Sequence, residues 1–221
     1  MLGGLIWFDI EYIVVLEDAI GLFKIKWKIG DAVKFGEYQH DTSTKKAPIE
    51  WVVLDIKKGT ALLISKYCLF TTAYCDFQHL LWEDSVARQL LNNSFFNEAF
   101  NKKEKKRIVM RDTILDQKIP VSKDHVFLLT EDEVTTYMPT KESRRALPTK
   151  KAVAEGARVD MEPKGYACWW LLPHVDSFVD MKGDFSIYPK AVFQFGGIQY
   201  HSRNVYHSDF TIRPAIIVDI D

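Results

Sequence analysis

The sequence predicts an α+β fold with short antiparallel strands, a helical middle and a β-rich, loop-rich C-terminal third. The first third contains two apolar segments joined by a short turn, which is typical of a β-hairpin. The middle combines apolar residues at helical spacing with two capping-box sequences. The last third returns to short apolar runs that Pro and Gly residues interrupt. We therefore expect helices packed on sheets.

The chain shows one change of character near its start. Residues 1–28 are apolar and acidic, and their alternating pattern suits a strand. We interpret them as an N-terminal extension that supplies an extra strand or the interface of a homo-oligomer. Residues 29–221 contain no linker-like segment, which predicts a single domain.

The strands of the first third follow from alternation and turn residues. Ala32–Tyr38 is predicted as the first strand, and residues 39–48 as a loop rich in Thr, Ser and Lys. Glu50–Asp55 and Thr60–Ser65 are predicted to pair as a hairpin across the turn Lys57-Lys58-Gly59.

The helices of the middle are indicated by apolar spacing and by their starting residues. Glu83–Asn92 is predicted as a helix with one apolar side. Asn101 with Glu104, and Thr130 with Glu133, have the spacing of a capping box and predict two further helix starts. A short strand is predicted at Val126–Leu129, and a last helix from its N-cap Thr149 to Gly156.

The last third is predicted to consist of four strands separated by irregular loops, because its apolar runs are short and bounded by Pro or Gly. The predicted strands are Ala167–Leu171, Ser177–Met181, Ala191–Phe195 and Thr211–Val218.

Composition excludes several classes of function. The net charge of −1 argues against a nucleic-acid-binding protein, which needs a basic surface. The uncharged runs are too short for a membrane span, and no signal peptide is indicated. We expect a cytoplasmic protein, the alternative being a chain whose export segment has been removed. Cys68, Cys75 and Cys168 have no metal-ligand spacing, so no metal and no cofactor is expected.

Eight apolar and aromatic motifs are distributed along the chain from about Gly30 to the C-terminus. They are Phe35–Gln39, Pro48–Asp55, Ala61–Tyr67, Trp82–Asn92, Phe96–Phe100, Val126–Leu129, Trp169–Pro173 and Ile212–Ala215. In these motifs the chain resembles a bacterial and phage-associated family of domains without assigned function. The family often carries Arg-Ser-Pro after its Trp pair, whereas this chain has Leu172-Pro173.

The resemblance implies a C-type-lectin-like fold, in the broad group that includes formylglycine-generating enzymes. In domains of that fold the late loops usually form the binding face. An oxidase of the formylglycine-generating type needs a pair of reactive cysteines, and Cys168 stands alone in the matching region. His201 and His207 match no known metal-ligand pattern, and surface or hydrogen-bonding roles are favoured for them.

Four residues are predicted to have structural roles. Arg88 and Arg213 lie within core-forming motifs, so we expect each to be buried and paired with loop carbonyls or with a carboxylate such as Glu50. Trp82 begins the helix motif that contains Arg88.

The favoured function is a non-catalytic recognition module that binds a glycan or a protein surface through the late C-terminal loops. Aromatic, amide and hydroxyl side chains are concentrated there, and such residues combine stacking area with adaptable hydrogen bonding. One alternative is an enzyme with a pocket near Trp169, Trp170 and the loop His201–His207, and another is an assembly protein that uses residues 1–28. The candidate ligand-binding residues are Trp169, Trp170, His174, Tyr200, His201, Arg203, Asn204, Tyr206 and His207.

Overall fold

The computed structural model confirms a mixed α+β fold whose described strand pairs are antiparallel, except for one parallel pair between Thr211 and Trp169. The described residues are 27–76, 82–113, 122–161, 165–172, 189–200, 206 and 208–221, together with the backbone of 178–179 and 185–186. The predicted extension at residues 1–28 therefore lies almost entirely outside them, and its proposed role in a homo-oligomer stays a prediction.

The described strands are short in the last third and long near the start. They are β1 (Ala32–Gln39), β2 (Lys46–Lys57), β3 (Thr60–Ser65), β4 (Phe70–Thr71), β5 (Ile108–Val109), β6 (Arg111–Thr113), β7 (Ser122–Asp124), β8 (Trp169–Trp170), β9 (Phe178–Val179), β10 (Phe185–Ser186), β11 (Lys190–Val192), β12 (Ile198–Tyr200), β13 (Thr211–Ile212) and β14 (Ala215–Asp219). The described helices are α1 (Val86–Gln89), α2 (Phe96–Ala99), α3 (Lys102–Arg107), α4 (Glu131–Tyr137), α5 (Lys141–Arg144) and α6 (Lys150–Ala154).

Two five-stranded sheets organise these elements. The first has the order β1-β2-β3-β14-β5, and the second has the order β12-β11-β8-β13-β4. The predicted hairpin β2–β3 and the final strand β14 lie side by side in the first sheet. Two small hairpins, β6–β7 and β9–β10, complete the described strand pairs.

The final strand differs from the prediction because it is divided at Arg213-Pro214. Residues before this point pair in the second sheet as β13, and residues after it pair in the first sheet as β14. Pro214 has no N–H to donate to a ladder, so it marks the place where the chain passes between sheets. Its carbonyl accepts a hydrogen bond from Ser65 N at 2.9 Å, at the end of β3.

Two further expectations are corrected. The predicted loop 39–48 ends early, since β2 begins at Lys46 and Pro48 lies opposite Glu37 of β1. Val126–Leu129 is not a strand but contains only an isolated bridge from Phe127 to Ala215. The reason is Asn92, whose side-chain amide donates to Val126 O at 2.9 Å and accepts from Val126 N at 3.2 Å in place of a neighbouring strand.

The helix predicted at Glu83–Asn92 begins later, after its N-cap Ser85, and continues from α1 through a π-helical segment at Leu90–Phe95 into α2. Core residues recur there at every fourth position: Ala87, Leu91, Phe95 and Ala99. In a regular α-helix a spacing of four drifts by about 40° at each step. The wider turn of the π segment offsets this drift and keeps all four side chains against the sheets.

The helix starts follow local capping chemistry as predicted. Asn101 with Glu104 and Thr130 with Glu133 form complete capping boxes at the starts of α3 and α4. Thr149 accepts from Ala152 N at 3.1 Å and begins α6, again as predicted.

A buried carboxylate joins the helical middle to the small hairpin β6–β7. Asp124 is fully buried and pairs with Arg88, whose Nε lies 2.6 Å from Asp124 Oδ1. The other carboxylate oxygen accepts from Trp82 Nε1, Thr113 Oγ1 and Ser122 Oγ, each at 2.8 Å. The pairing predicted for Arg88 is confirmed, with its side chain 24% exposed. Trp82 joins this pair through its indole, which gives it a structural role.

Glu50 is not the partner of either arginine. It forms an ion pair with Lys66 at 2.7 Å, in which both side chains are about one-third exposed or more. Arg213 is buried, as predicted, and donates from Nε to Ser65 O at 3.0 Å. Its described hydrogen-bond partners are two carbonyl groups and the thioether of Met138 rather than a carboxylate.

Candidate functional site

The late part of the chain presents a tight turn between β11 and β12. Phe193 N donates to Gly197 O at 2.8 Å, and Gly196 N donates to Phe193 O at 2.7 Å. Gly196 has a φ of +81°, a conformation that favours glycine. Gln194 is held inward, because its Oε1 lies 2.9 Å from the Sγ of Cys168. The turn therefore holds Phe195 at the surface, where it is 40% exposed.

A continuous series of rings connects this turn to the core. We call Trp170, Phe210, Phe193 and Phe195 the aromatic stack. Trp170 stacks on Phe210 with centroids 4.5 Å apart, Phe210 meets Phe193 edge-on at 5.6 Å, and Phe193 stacks on Phe195 at 5.8 Å. Trp170 and Phe210 are fully buried. The exposed ring thus rests on a rigid base, since buried aromatic pairs add packing energy beyond their area.

Trp169 and Trp170, both predicted to bind a ligand, point in opposite directions. Both are fully buried on β8, where successive side chains lie on opposite faces. Trp170 joins the core cluster of the aromatic stack, and Trp169 joins the cluster that contains Ile64 and Phe127. Trp170 therefore lies beneath the ring of Phe193 through Phe210, whereas Trp169 packs with Val192 and Ile198 on the other face of the sheet, and neither indole offers a free surface to a ligand.

The other predicted ligand-binding residues fall mainly outside the described part of the chain. Tyr206 is described and is 37% exposed. The side chain of Tyr200 is not described. Five other predicted residues lie outside the described part of the chain: His174, His201, Arg203, Asn204 and His207.

Arg144, which the sequence did not single out, holds the late turn to the helices. It lies at the end of α5 and donates to Met138 O and Pro139 O, both at 2.8 Å, and to Gly196 O at 3.4 Å. Its own carbonyl accepts from Trp169 Nε1 at 3.1 Å. The only local signal for this helix was Thr140, whose side chain caps it by accepting from Ser143 N.

The cysteines do not resemble reactive thiols. Cys68, Cys75 and Cys168 are buried and free, as the sequence favoured. Burial raises the pKa of each thiol to about 11, so all three are protonated at neutral pH. Nucleophilic chemistry by these residues is therefore disfavoured.

Two partly buried histidines lie in the described part of the chain. His125 stacks on Phe96 with centroids 4.3 Å apart, and no described group bonds its buried Nδ1. Burial lowers the pKa of His125, and the nearby Asp124 offsets this only in part. Burial likewise lowers the pKa of His40, against the smaller opposing effect of Glu50. Both rings are therefore stabilised in their neutral form.

These shifts predict that the protein loses stability as the pH falls through about 6.5, the usual histidine pKa, because the unfolded chain binds protons first. His125→Phe keeps the stacking on Phe96 and removes one of the two groups. We expect its unfolding free energy to depend less on pH than that of the wild type, in urea titrations at about pH 7.5 and 5.5. An equal dependence in both proteins would contradict the assignment to His125.

Other kinds of site find no support in the part of the chain that the structure describes. No group of three or more His, Cys, Asp or Glu side chains there is placed to hold a metal ion. Among the same residues, no helix is long and apolar enough to cross a membrane.

Comparison with known proteins identifies a family. Residues 58–220, well over half of the chain, match the family described as a domain of unknown function, DUF6273. No curated protein matches the chain. No solved structure matches it either.

Proposed function

The chain belongs to the DUF6273 family, which brings no activity with it, and we propose from the geometry that it is a non-catalytic recognition module. In this proposal the surface of the late C-terminal loops, which includes Phe195 and Tyr206, binds a glycan or a protein surface. We call this surface the late face. The proposed fold is C-type-lectin-like, as the family resemblance implies, with the late loops at its binding end.

The observation that supports this proposal most directly is the aromatic stack. Its base is buried, while Phe195 is 40% exposed at a turn fixed by hydrogen bonds. An exposed ring that is already held in place loses little conformational entropy when a ligand covers it. Aromatic rings are also enriched at the centres of protein interfaces and in ligand sites. Phe195 differs from other exposed apolar side chains such as Met110 in that its ring is stacked on a buried aromatic base, which suits a recognition surface.

The proposal predicts that Phe195→Ala and Tyr206→Ala lose binding while keeping their stability. A glycan array and a protein array probed with the wild type would first identify the ligand, and titration of that ligand would then compare the variants. We expect each substitution to weaken binding by about tenfold or more, or about 1.4 kcal/mol. Their melting temperatures should stay close to that of the wild type, since exposed side chains contribute little to stability.

Met110→Ala is the matched control, because Met110 is 53% exposed and lies between β5 and β6, outside the late face. It should bind like the wild type. The proposal fails if all three variants bind equally well. It also fails if Phe195→Ala and Tyr206→Ala unfold, since the late face would then be part of the scaffold.

A further inference from the structure

Arg213 occupies an unusual position for a charged residue. It lies at the passage between the two sheets, is 5% exposed, and packs over the ring of Trp169 at 5.1 Å. Nε donates to Ser65 O at 3.0 Å. Nη1 has two weaker contacts, with Arg144 O at 3.4 Å and Met138 Sδ at 3.7 Å. Among the described residues, no acceptor is bonded to Nη2.

The charge of Arg213 is also uncompensated within the described residues. Its hydrogen-bond partners there are two carbonyls and a thioether, none of which is charged. The neighbouring thiol of Cys68 does not serve as a counter-ion, because burial raises its pKa to about 11. A guanidinium remains protonated in proteins, and a buried charge without a partner is costly. This cost would be offset by an anion that binds beside the guanidinium.

A pocket of about 260 Å³ opens beside Arg213, which forms part of its wall. Most of the remaining wall is apolar and comes from Ile29, Val52, Leu54, Ile64 and Met138.

Two hydroxyl groups also line the pocket, but both already donate elsewhere. Tyr137 Oη donates to Asp55 Oδ2 at 3.0 Å, and Ser143 Oγ donates to Thr140 O at 2.8 Å. Among the described side chains that line the pocket, the guanidinium of Arg213 is therefore the donor that remains for an occupant.

We propose that this pocket binds a small monocarboxylate that carries an apolar group, with Arg213 as the partner of the carboxylate. The planar guanidinium matches the geometry of a carboxylate, and the apolar walls match a short hydrocarbon body. The volume lies just below the range of roughly 300–1,000 Å³ that is usual for small-molecule sites, which limits the ligand to a small one. A phosphate fits poorly, since one arginine among apolar walls cannot replace the hydration of a doubly charged anion.

The carboxylate has two chemical sources, a free acid or the C-terminal residue of a peptide. The pocket shares no residue with the aromatic stack, so the inference does not depend on the proposed recognition face. Binding at this pocket and binding at the late face are consequently separable in experiment.

Calorimetric titration with 4-methylpentanoate tests the inference, and its neutral amide serves as the matched control ligand. We expect saturable binding of the acid, and binding of the amide at least about tenfold weaker, because only the acid has a charge to pair with Arg213. A tripeptide that ends in Leu, compared with its C-terminal amide, distinguishes the peptide source. Tighter binding of the peptide than of the free acid assigns the site to a chain terminus, and the reverse assigns it to a small acid.

Two variants connect the binding to this pocket. Arg213→Met removes the charge at similar length, and Val52→Phe fills space in the wall while leaving Arg213 in place. Each should weaken binding of the acid by about tenfold or more, and Met110→Ala should not. Val52 is half-buried, so Val52→Phe is expected to fold. It therefore tests the inference even if Arg213→Met unfolds. Far-ultraviolet circular dichroism verifies the fold of each variant.

Three results would overturn the inference. The first is that neither the acid nor the peptide binds at concentrations up to about 10 mM. The second is that the amide or inorganic phosphate binds as strongly as the acid. The third is that Val52→Phe binds the acid with unchanged affinity.

Discussion

Asp124→Ala is expected to destabilise the protein by about 3–5 kcal/mol, because it leaves a partly buried guanidinium without its carboxylate. The same change removes the acceptor of the buried Trp82 indole and of two hydroxyl groups, on Thr113 and Ser122. Equilibrium unfolding in urea measures the loss as a lower midpoint at unchanged slope. Since Asp124 connects the helical middle to β6–β7, the near-ultraviolet signal of Trp82 should change as well.

A double-mutant cycle separates the ion pair from the rest of this network. Arg88→Ala should cost less in the Asp124→Ala background than in the wild type, because the charge it would strand is already gone. Glu50→Ala is the matched control, since Glu50 pairs with Lys66 at a similar distance of 2.7 Å but near the surface. Such exposed pairs contribute about 0–1 kcal/mol. Equal losses for Asp124→Ala and Glu50→Ala would show that burial of the first pair has no energetic consequence.

The sequence predicted best those features whose determinants are local. The capping boxes at Asn101 and Thr130 need only residues three positions apart, and the hairpin β2–β3 needs only its alternation and its turn. Both were confirmed. In each case the side chains that decide the structure are neighbours in the chain, so no tertiary information is required.

Features that depend on distant partners could be predicted only in part. Arg88 was expected to be paired, but its partner Asp124 is 36 residues away and carries no local signal. Asn92 takes the place of a strand beside Val126 through contacts that span 34 residues. The sequence predicted the burial of Arg213, because its neighbours in the chain are apolar. Which groups bond its guanidinium depends instead on how distant segments of the chain pack around it.

The candidate site differs from the sequence prediction at the two tryptophans. Trp169 and Trp170 are both predicted to bind a ligand, yet adjacent residues of a strand face opposite sides. The alternation of side chains along a strand is sufficient by itself to separate them. By contrast, the inward position of Gln194 and the exposed position of Phe195 depend on the geometry of one turn, in which Gly196 has a positive φ.

Gly196→Ala is expected to destabilise the protein by about 2–5 kcal/mol, through two additive causes. A positive φ costs a non-glycine residue about 1–2 kcal/mol. In addition, a methyl group at this position would lie 2.6 Å from the carbonyl carbon of Lys141 and closer still to its oxygen. Backbone atoms cannot rotate away as a side chain can, so the turn must separate from α5 at a cost of about 1–3 kcal/mol. Urea unfolding would measure the sum.

Gly156→Ala isolates the first cause, because Gly156 has a φ of +92° and no atom within 4 Å of the added methyl group. It should cost only about 1–2 kcal/mol. The difference between the two variants then measures how firmly the β11–β12 turn is held against α5. Movement of the turn should also displace Phe195, so Gly196→Ala should weaken binding at the late face while Gly156→Ala leaves it intact. Equal losses of stability in both variants would mean that the turn is not held against α5, and Phe195 would then lack the fixed position on which the recognition proposal depends.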